Sequence, residues 1–172
     1  MSYSIWSNSL VSFSDAVAAT RPAPAGVAAA AVAAELGLSL LIKAVAITGG
    51  QAELLEAARR ESAHLRRAAD DDIGAVTAYM SRRDADALRQ AIEAPLRAAR
   101  AAVAGLELCA KATGAVKSSL EADLGAAQAL LSGALRAVLL CIDANLRGRE
   151  EQHPNAVAER RAIEDRARVY SP

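Results

Sequence analysis

The chain is predicted to be all-α, an antiparallel bundle of about five long helices, from the spacing of its apolar residues and two further observations. Alanine and leucine dominate its 172 residues, while one Trp, three Tyr and one Phe are its whole aromatic content. Alanine is the strongest helix former, so this composition favours helices over strands. Apolar residues recur at steps of three and four, and proline, glycine and serine clusters separate the periodic stretches.

In the first segment Trp6, Leu10, Phe13 and Val17 share one helical face, and Pro22 and Pro24 end it. The second, residues 25–48, is apolar nearly all round, as expected of a central buried helix, and Gly49 and Gly50 stop it. The third, residues 51–81, sets Leu54, Ala58, Leu65, Ala69, Val76 and Met80 against a charged face of Arg59, Arg60, Arg66 and Arg67. The fourth, residues 84–113, carries Leu88, Ile92, Leu96, Ala99, Val103, Leu106 and Ala110, with Pro95 placed to kink or split it. The fifth, residues 119–146, shows Leu120, Leu124, Ala127, Leu131, Val138 and Ile142, with Ser119 as a candidate cap and Gly125 as a candidate close crossing. Residues 1–148 therefore read as the bundle. Residues 149–172, dense in charges of both signs, read as a short solvated helix or an arm on a partner subunit. Alanine faces bury little area apiece, so two copies pairing through such faces, a homodimer, are expected.

Twenty basic and twenty acidic residues cancel, and without a basic field or stacking aromatics no nucleic-acid partner is expected. The longest apolar run, residues 26–42, is interrupted by Glu35 and followed by Lys43, so no membrane span is expected. No basic leader region precedes Arg21, and Cys109 and Cys141 read as reduced thiols without disulfide or metal spacing, which together predict a cytoplasmic setting. His64 and His153 have no partner spaced for a zinc site, so no metal is expected.

Asp72, Asp123 and Asn145 carry the candidate chemistry. Asp70, Asp71 and Asp72 stand in mid-helix, where aspartate is a poor former. Asp72 lies three after Ala69 and four before Val76, at the edge of the apolar stripe. There it either pairs with an arginine or faces a pocket, where burial tunes a carboxylate for proton transfer. Asp123, between Leu120 and Leu124, suits a helix start. Asn145 falls near the Val138–Ile142 stripe and needs a partner if buried.

Taken in order, these segments resemble the formiminotetrahydrofolate cyclodeaminase / methenyltetrahydrofolate cyclohydrolase family. "SFSDAVAATRPAPAGVAAAA" (residues 12–31) is similar to its opening helix and Pro-x-Pro-Gly-Gly-Gly-Ser loop. "LRRAADDDIGAVTAYM" (65–80) is similar to its Asp-x-Asp helix, "EAPLRAARAAVAGLEL" (93–108) to its helix with an internal proline, and "EADLGAAQALLSGALRAVLLCIDANL" (121–146) to its Ser-Asp-Leu-Gly helix ending in Asn-x-x-x-Asn-Leu. The resemblance implies a helical homodimer acting on a tetrahydrofolate derivative as substrate, with no tightly bound cofactor. It also implies Asp72 and Asp123 as catalytic residues and Pro24, Gly26 and Asn145 as substrate-binding ones. In this chain the loop keeps one of the family's three glycines, Gly26, its serine is Ala28, and its first asparagine is Cys141. A second reading therefore keeps the fold and changes the substrate to a non-folate cyclisation, hydrolysis or amine elimination. A third, a non-catalytic scaffold, has no use for carboxylates at a core edge.

Overall fold

Helix ends in this chain fall where backbone groups run out of partners and the sequence supplies a substitute. The computed structural model describes residues 4–170. A 3-10 turn at Ile5–Ser7 precedes α1 (Leu10–Ala18), followed by α2 (Gly26–Thr48), α3 (Ala52–Arg82), α4 (Ala85–Ala112), α5 (Glu121–Leu146) and α6 (Pro154–Arg168). The Ser9 hydroxyl caps α1 by accepting from Ser12 N–H at 3.1 Å, and the Asp84 carboxylate caps α4 through Ala87 N–H at 2.7 Å. Gly49, at φ 79°, closes α2 in the left-handed region that glycine tolerates. Ser119 does not cap α5; it lies inside a 3-10 turn, Ser118–Leu120, that leads into the helix.

α2 packs along α3 and α5, and α4 packs along the same two, closing a ring of four helices. Contacts between Gly26 and Cys141 at one end, and between Lys43 and Asp123 at the other, show that α2 and α5 run antiparallel. The close crossings are made at Gly37 and Gly105. A Cβ on Gly37 would stand 3.0 Å from Ala127 O, and one on Gly105 would stand 3.0 Å from Leu131 Cδ2. Gly125, the crossing expected from sequence, has open space around it instead.

Three expectations are corrected by packing. The first helix is broken at Asn8 and Ser9, where the cap restarts it, and Leu10 is 69 % exposed. α2 is not enclosed on all sides: Leu36 and Ile47 face outward at 50 % exposure each, and α4 is the more buried helix because α6 covers it as well. Pro95 does not split α4, which runs unbroken through it. The expected short helix forms, as α6; it lies on α4 and α5 of its own chain, with Ile163 and Ala167 buried and most of its other residues partly or fully exposed. Arg100–Glu159, Arg160–Asp143 and Arg166–Glu107 pairs hold it there.

By length and composition, α2 and the segment Ser118–Leu146 are apolar enough to cross a membrane, which Glu35 and Lys43 had argued against for α2. Half of the α2 window and 39 % of the other are buried within the bundle, and core helices share that pattern.

Candidate active site

Asp72 is 2 % exposed, and its Oδ1 has no hydrogen-bond partner. Its place follows from a spacing of seven: Ala58, Leu65, Asp72 and Tyr79 recur every two turns, so the carboxylate occupies the inward seam of α3 rather than its edge. The stripe read through Val76 and Met80 drifts outward at this end, where Met80 is 46 % exposed. No arginine pairs with Asp72. Arg66 instead reaches the buried Glu35 at 2.7 Å, Asp71 pairs with Arg97 at 3.1 Å, and Asp70 accepts from Ser4 Oγ at 2.7 Å and Ile5 N–H at 2.9 Å. Burial without a counter-charge pushes the Asp72 carboxyl up from 3.8 to about 6.

The start of α2 stands beside it. The Ala23–Pro24 peptide is cis, Pro24 is buried, and Ala25 offers no side-chain cap. The first helical bond runs from Ala29 N–H to Ala25 O at 3.0 Å, which leaves the N–H groups of Gly26, Val27 and Ala28 without helical acceptors. A Cβ on Gly26 would come within 2.9 Å of Cys141 Sγ. The half-buried Cys141 thiol is pushed up by its burial and then by the charge of Asp72, so the two side chains lie near enough to feel each other's charge. One end of the bundle therefore gathers a carboxylate, a thiol and free backbone donors from three helices.

Asn145 has a structural task at this end. Pro95 has no N–H, so the carbonyl of Ala91, four residues earlier in α4, loses its helical donor. Asn145 Nδ2 donates to that carbonyl at 2.9 Å. Asn145→Ala should destabilise the fold by about 1–3 kcal/mol by leaving the carbonyl unpaired. Pro95→Ala, which restores the N–H, should make the second change nearly neutral; a denaturation double-mutant cycle that finds the two effects additive refutes the pairing.

Asp123 is not in this cluster. It lies at the other end of α2, ion-paired to Lys43 Nζ at 2.7 Å. Lys43 follows Gly26 by seventeen residues, about 25 Å along the helix. Within one chain the α2–α5 pair therefore holds Asp72 and Asp123 at opposite ends of α2. His64 sits on the surface beside Glu61 at 3.1 Å. Among the described residues, no three His, Cys, Asp or Glu side chains come together to hold a metal ion.

The model of the family described as formiminotransferase-cyclodeaminase matches residues 9–162. The chain belongs to the formiminotransferase-cyclodeaminase family. The solved structure of formiminotetrahydrofolate cyclodeaminase from Thermotoga maritima superposes with a TM-score of 0.87 at 20 % identity, covering 96 % of this chain and 92 % of that one. This likeness shows that the two share a fold. No curated protein sequence matches the chain.

As a member of a family whose described activity is enzymatic, the chain presents two groups at the site that spacing arguments did not single out. The sequence reads Cys141 only as a reduced thiol; the antiparallel register of α2 and α5 brings it toward Asp72. Tyr79 is half-buried against Ala75, Ala91 and Ala94, and the spacing of seven from Asp72 is the signal that locates it. Cys109, by contrast, is fully buried in the core, where its thiol is pushed up to about 12.

Gly26→Ala gives a direct probe of the cluster. The obstructing atom is the end of a side chain, so the fold should lose less than about 1 kcal/mol while the thiol is displaced. The rate of Cys141 alkylation should change severalfold with the melting temperature nearly constant; an unchanged rate would place Cys141 outside the site.

Proposed function

We propose that the chain is a one-carbon enzyme of the cyclodeaminase or cyclohydrolase type. Its substrate on this reading is a formimino- or methenyltetrahydrofolate, and Asp72 is the group that moves the proton. The observation that carries this reading is a carboxylate 98 % removed from solvent, unpaired, and held near neutrality beside free backbone donors. In ring closure, the exocyclic amine nitrogen attacks the carbon of the protonated formimino group, a base takes that amine's proton, and ammonia leaves with the proton returned to it. In hydrolysis, water adds to the methenyl carbon, gives its proton to the base, and the ring C–N bond opens to a formyl group. Both routes pass through a tetrahedral carbon and need one base that changes to an acid, which a carboxyl titrating near pH 6 supplies. Pro24 walls the site, Gly26 and its neighbours donate N–H groups, and Asn145 holds the wall of α4 in place.

Asp123 enters through a homodimer. Leu36, Ile47, Leu130 and Leu140 stand exposed on α2 and α5, whose other sides pack on α3 and α4. A second copy is the occupant of this face. An isologous pairing about an axis across the helices sets the Asp123 end of one copy against the Gly26–Cys141 end of the other.

The test is incubation of the purified protein with 5-formiminotetrahydrofolate and, separately, with 5,10-methenyltetrahydrofolate, following ammonia release and the methenyl absorbance. Turnover of either substrate supports the reading, and binding and turnover of neither overturns it. The alternative of a non-folate substrate draws on Ala25, Ala28 and Cys141, which line the start of α2 with methyl and thiol groups. Cyclisation or amine elimination without folate turnover is its expected signature.

A further inference from the structure

Beyond Asp72, two arginines from different parts of the chain converge on one tyrosine. Tyr79 follows Asp72 by seven residues and so lies on the same face of α3, about 10 Å further along. Arg83 ends α3 in the left-handed region, at φ 54°, which a non-glycine residue adopts at some expense. That turn lays its guanidinium 5.7 Å from the centre of the Tyr79 ring. Arg149 Nη2 donates to Tyr79 Oη at 3.3 Å, and Nη1 donates to Asn145 O at 3.1 Å.

Among the described residues neither guanidinium has a carboxylate partner, although Arg97, Arg100, Arg160 and Arg166 each have one. Glu150, adjacent to Arg149 in sequence, is turned toward the backbone N–H groups of its own turn. Two like charges on one phenol repel, and among the described residues no carboxylate pairs with either of them. Guanidinium groups held in fixed orientation are suited to carboxylates, which they bind in bidentate fashion. The same face of α3 thus carries a proton-transfer carboxylate at one point and an uncompensated cationic pair about two helical turns on.

We propose that Arg83 and Arg149, both in contact with Tyr79, form an anion subsite for the carboxylate end of the substrate whose reacting carbon lies at Asp72. The identity of that substrate rests on the reading under Proposed function. For a tetrahydrofolate, the carboxylates are those of the glutamyl group, separated from the one-carbon unit by an aromatic amide spacer. The subsite also fixes direction: the pterin lies toward Gly26 and Cys141, the glutamyl group toward Arg83 and Arg149.

The test compares 5,10-methenyltetrahydrofolate with 5,10-methenyltetrahydropteroate, which lacks the glutamyl group, on the wild type and on the double variant Arg83→Met/Arg149→Met. In the wild type the glutamyl group should improve kcat/KM on the order of tenfold or more, chiefly through KM. In the double variant that preference should fall below about twofold, with the pteroate compound turned over equally by both proteins. An undiminished preference overturns the proposal. Tyr79→Phe, which removes only the hydroxyl that holds Arg149, should give an intermediate loss if the double variant proves unstable.

A second measurement separates this inference from the folate reading. p-Aminobenzoylglutamate and inorganic phosphate are titrated while the side-chain Nε–H resonances of Arg83 and Arg149 are followed. Joint shifts with p-aminobenzoylglutamate support the subsite even in a protein that turns over no folate, a result that would defeat only the functional reading. Response to neither probe, or to phosphate alone, overturns the carboxylate subsite.

Discussion

Asp72→Asn is expected to lower turnover roughly a hundredfold or more while making the protein more stable above pH 6. The amide keeps the shape of the carboxyl and cannot take a proton. The stability change has a definite sign. The carboxyl titrates at 3.8 when exposed and at about 6 in the fold. Below 3.8 both states hold the proton, and the neutral group is accommodated without penalty. As pH rises from about 4 to 6, the unfolded chain has released the proton and the native one has not, so stability falls across that window. Two pKa units correspond to about 3 kcal/mol, which is the most the variant can regain. For a chain of 172 residues this is a rise of several degrees in Tm at pH 8, shrinking to nothing near pH 4. Thermal melts of both proteins at the two pH values, alongside turnover, check both halves. Full activity in the variant removes the base from Asp72, and equal melts at pH 8 show that its carboxyl is not strained by burial. The wild-type rate should itself rise with pH through a limb near 6 that the variant lacks.

Leu36→Arg is expected to convert a dimer into a monomer and to abolish most activity with it. In the single chain Leu36 is 50 % exposed, so an arginine there can leave its head group in water and the subunit still folds. Buried between two alanine-rich faces, the same charge has no partner and carries a penalty of several kcal/mol. Light scattering should give a mass near twice 17.8 kDa for the wild type and 17.8 kDa for the variant. Leu140→Arg, at a residue 70 % exposed on α5, should do the same independently. Loss of activity follows on the proposed pairing, in which a second copy brings its Asp123 to Asp72 because the two stand at opposite ends of α2 within one chain. A wild-type monomer at micromolar concentration defeats the dimer. Monomeric variants with full turnover defeat the role of Asp123 across the interface.

Composition and a period near 3.6 were enough to specify helices and, for the four long ones, their ends within a few residues, because alanine-rich helices and their caps are local matters settled by the backbone's own hydrogen bonds. The family and three members of the proposed site, Asp72, Gly26 and Pro24, were legible for a related reason: mid-helix aspartates and a proline–glycine helix start contradict local propensity and so stand out. What lay between helices was not legible. The break at Asn8–Ser9 was hidden because Trp6 and Phe13 keep a helical spacing across it. The inward position of Asp72 was mistaken for an edge because a stripe followed through Val76 and Met80 drifts off the seam over a helix of 31 residues.

By itself, then, the sequence determined an all-helical chain of this family with an acidic residue placed against its core. Only tertiary structure decided that Asp72 has no arginine, that Cys141 lies beside it, and that Asn145 replaces the donor missing at Pro95. It also decided that Asp123 belongs to the opposite end and that Arg83 and Arg149 meet at Tyr79. Each of these is a relation between helices brought into register by packing at Gly37, Gly105 and Leu131, and residues far apart in sequence carry no periodic signal of such a register.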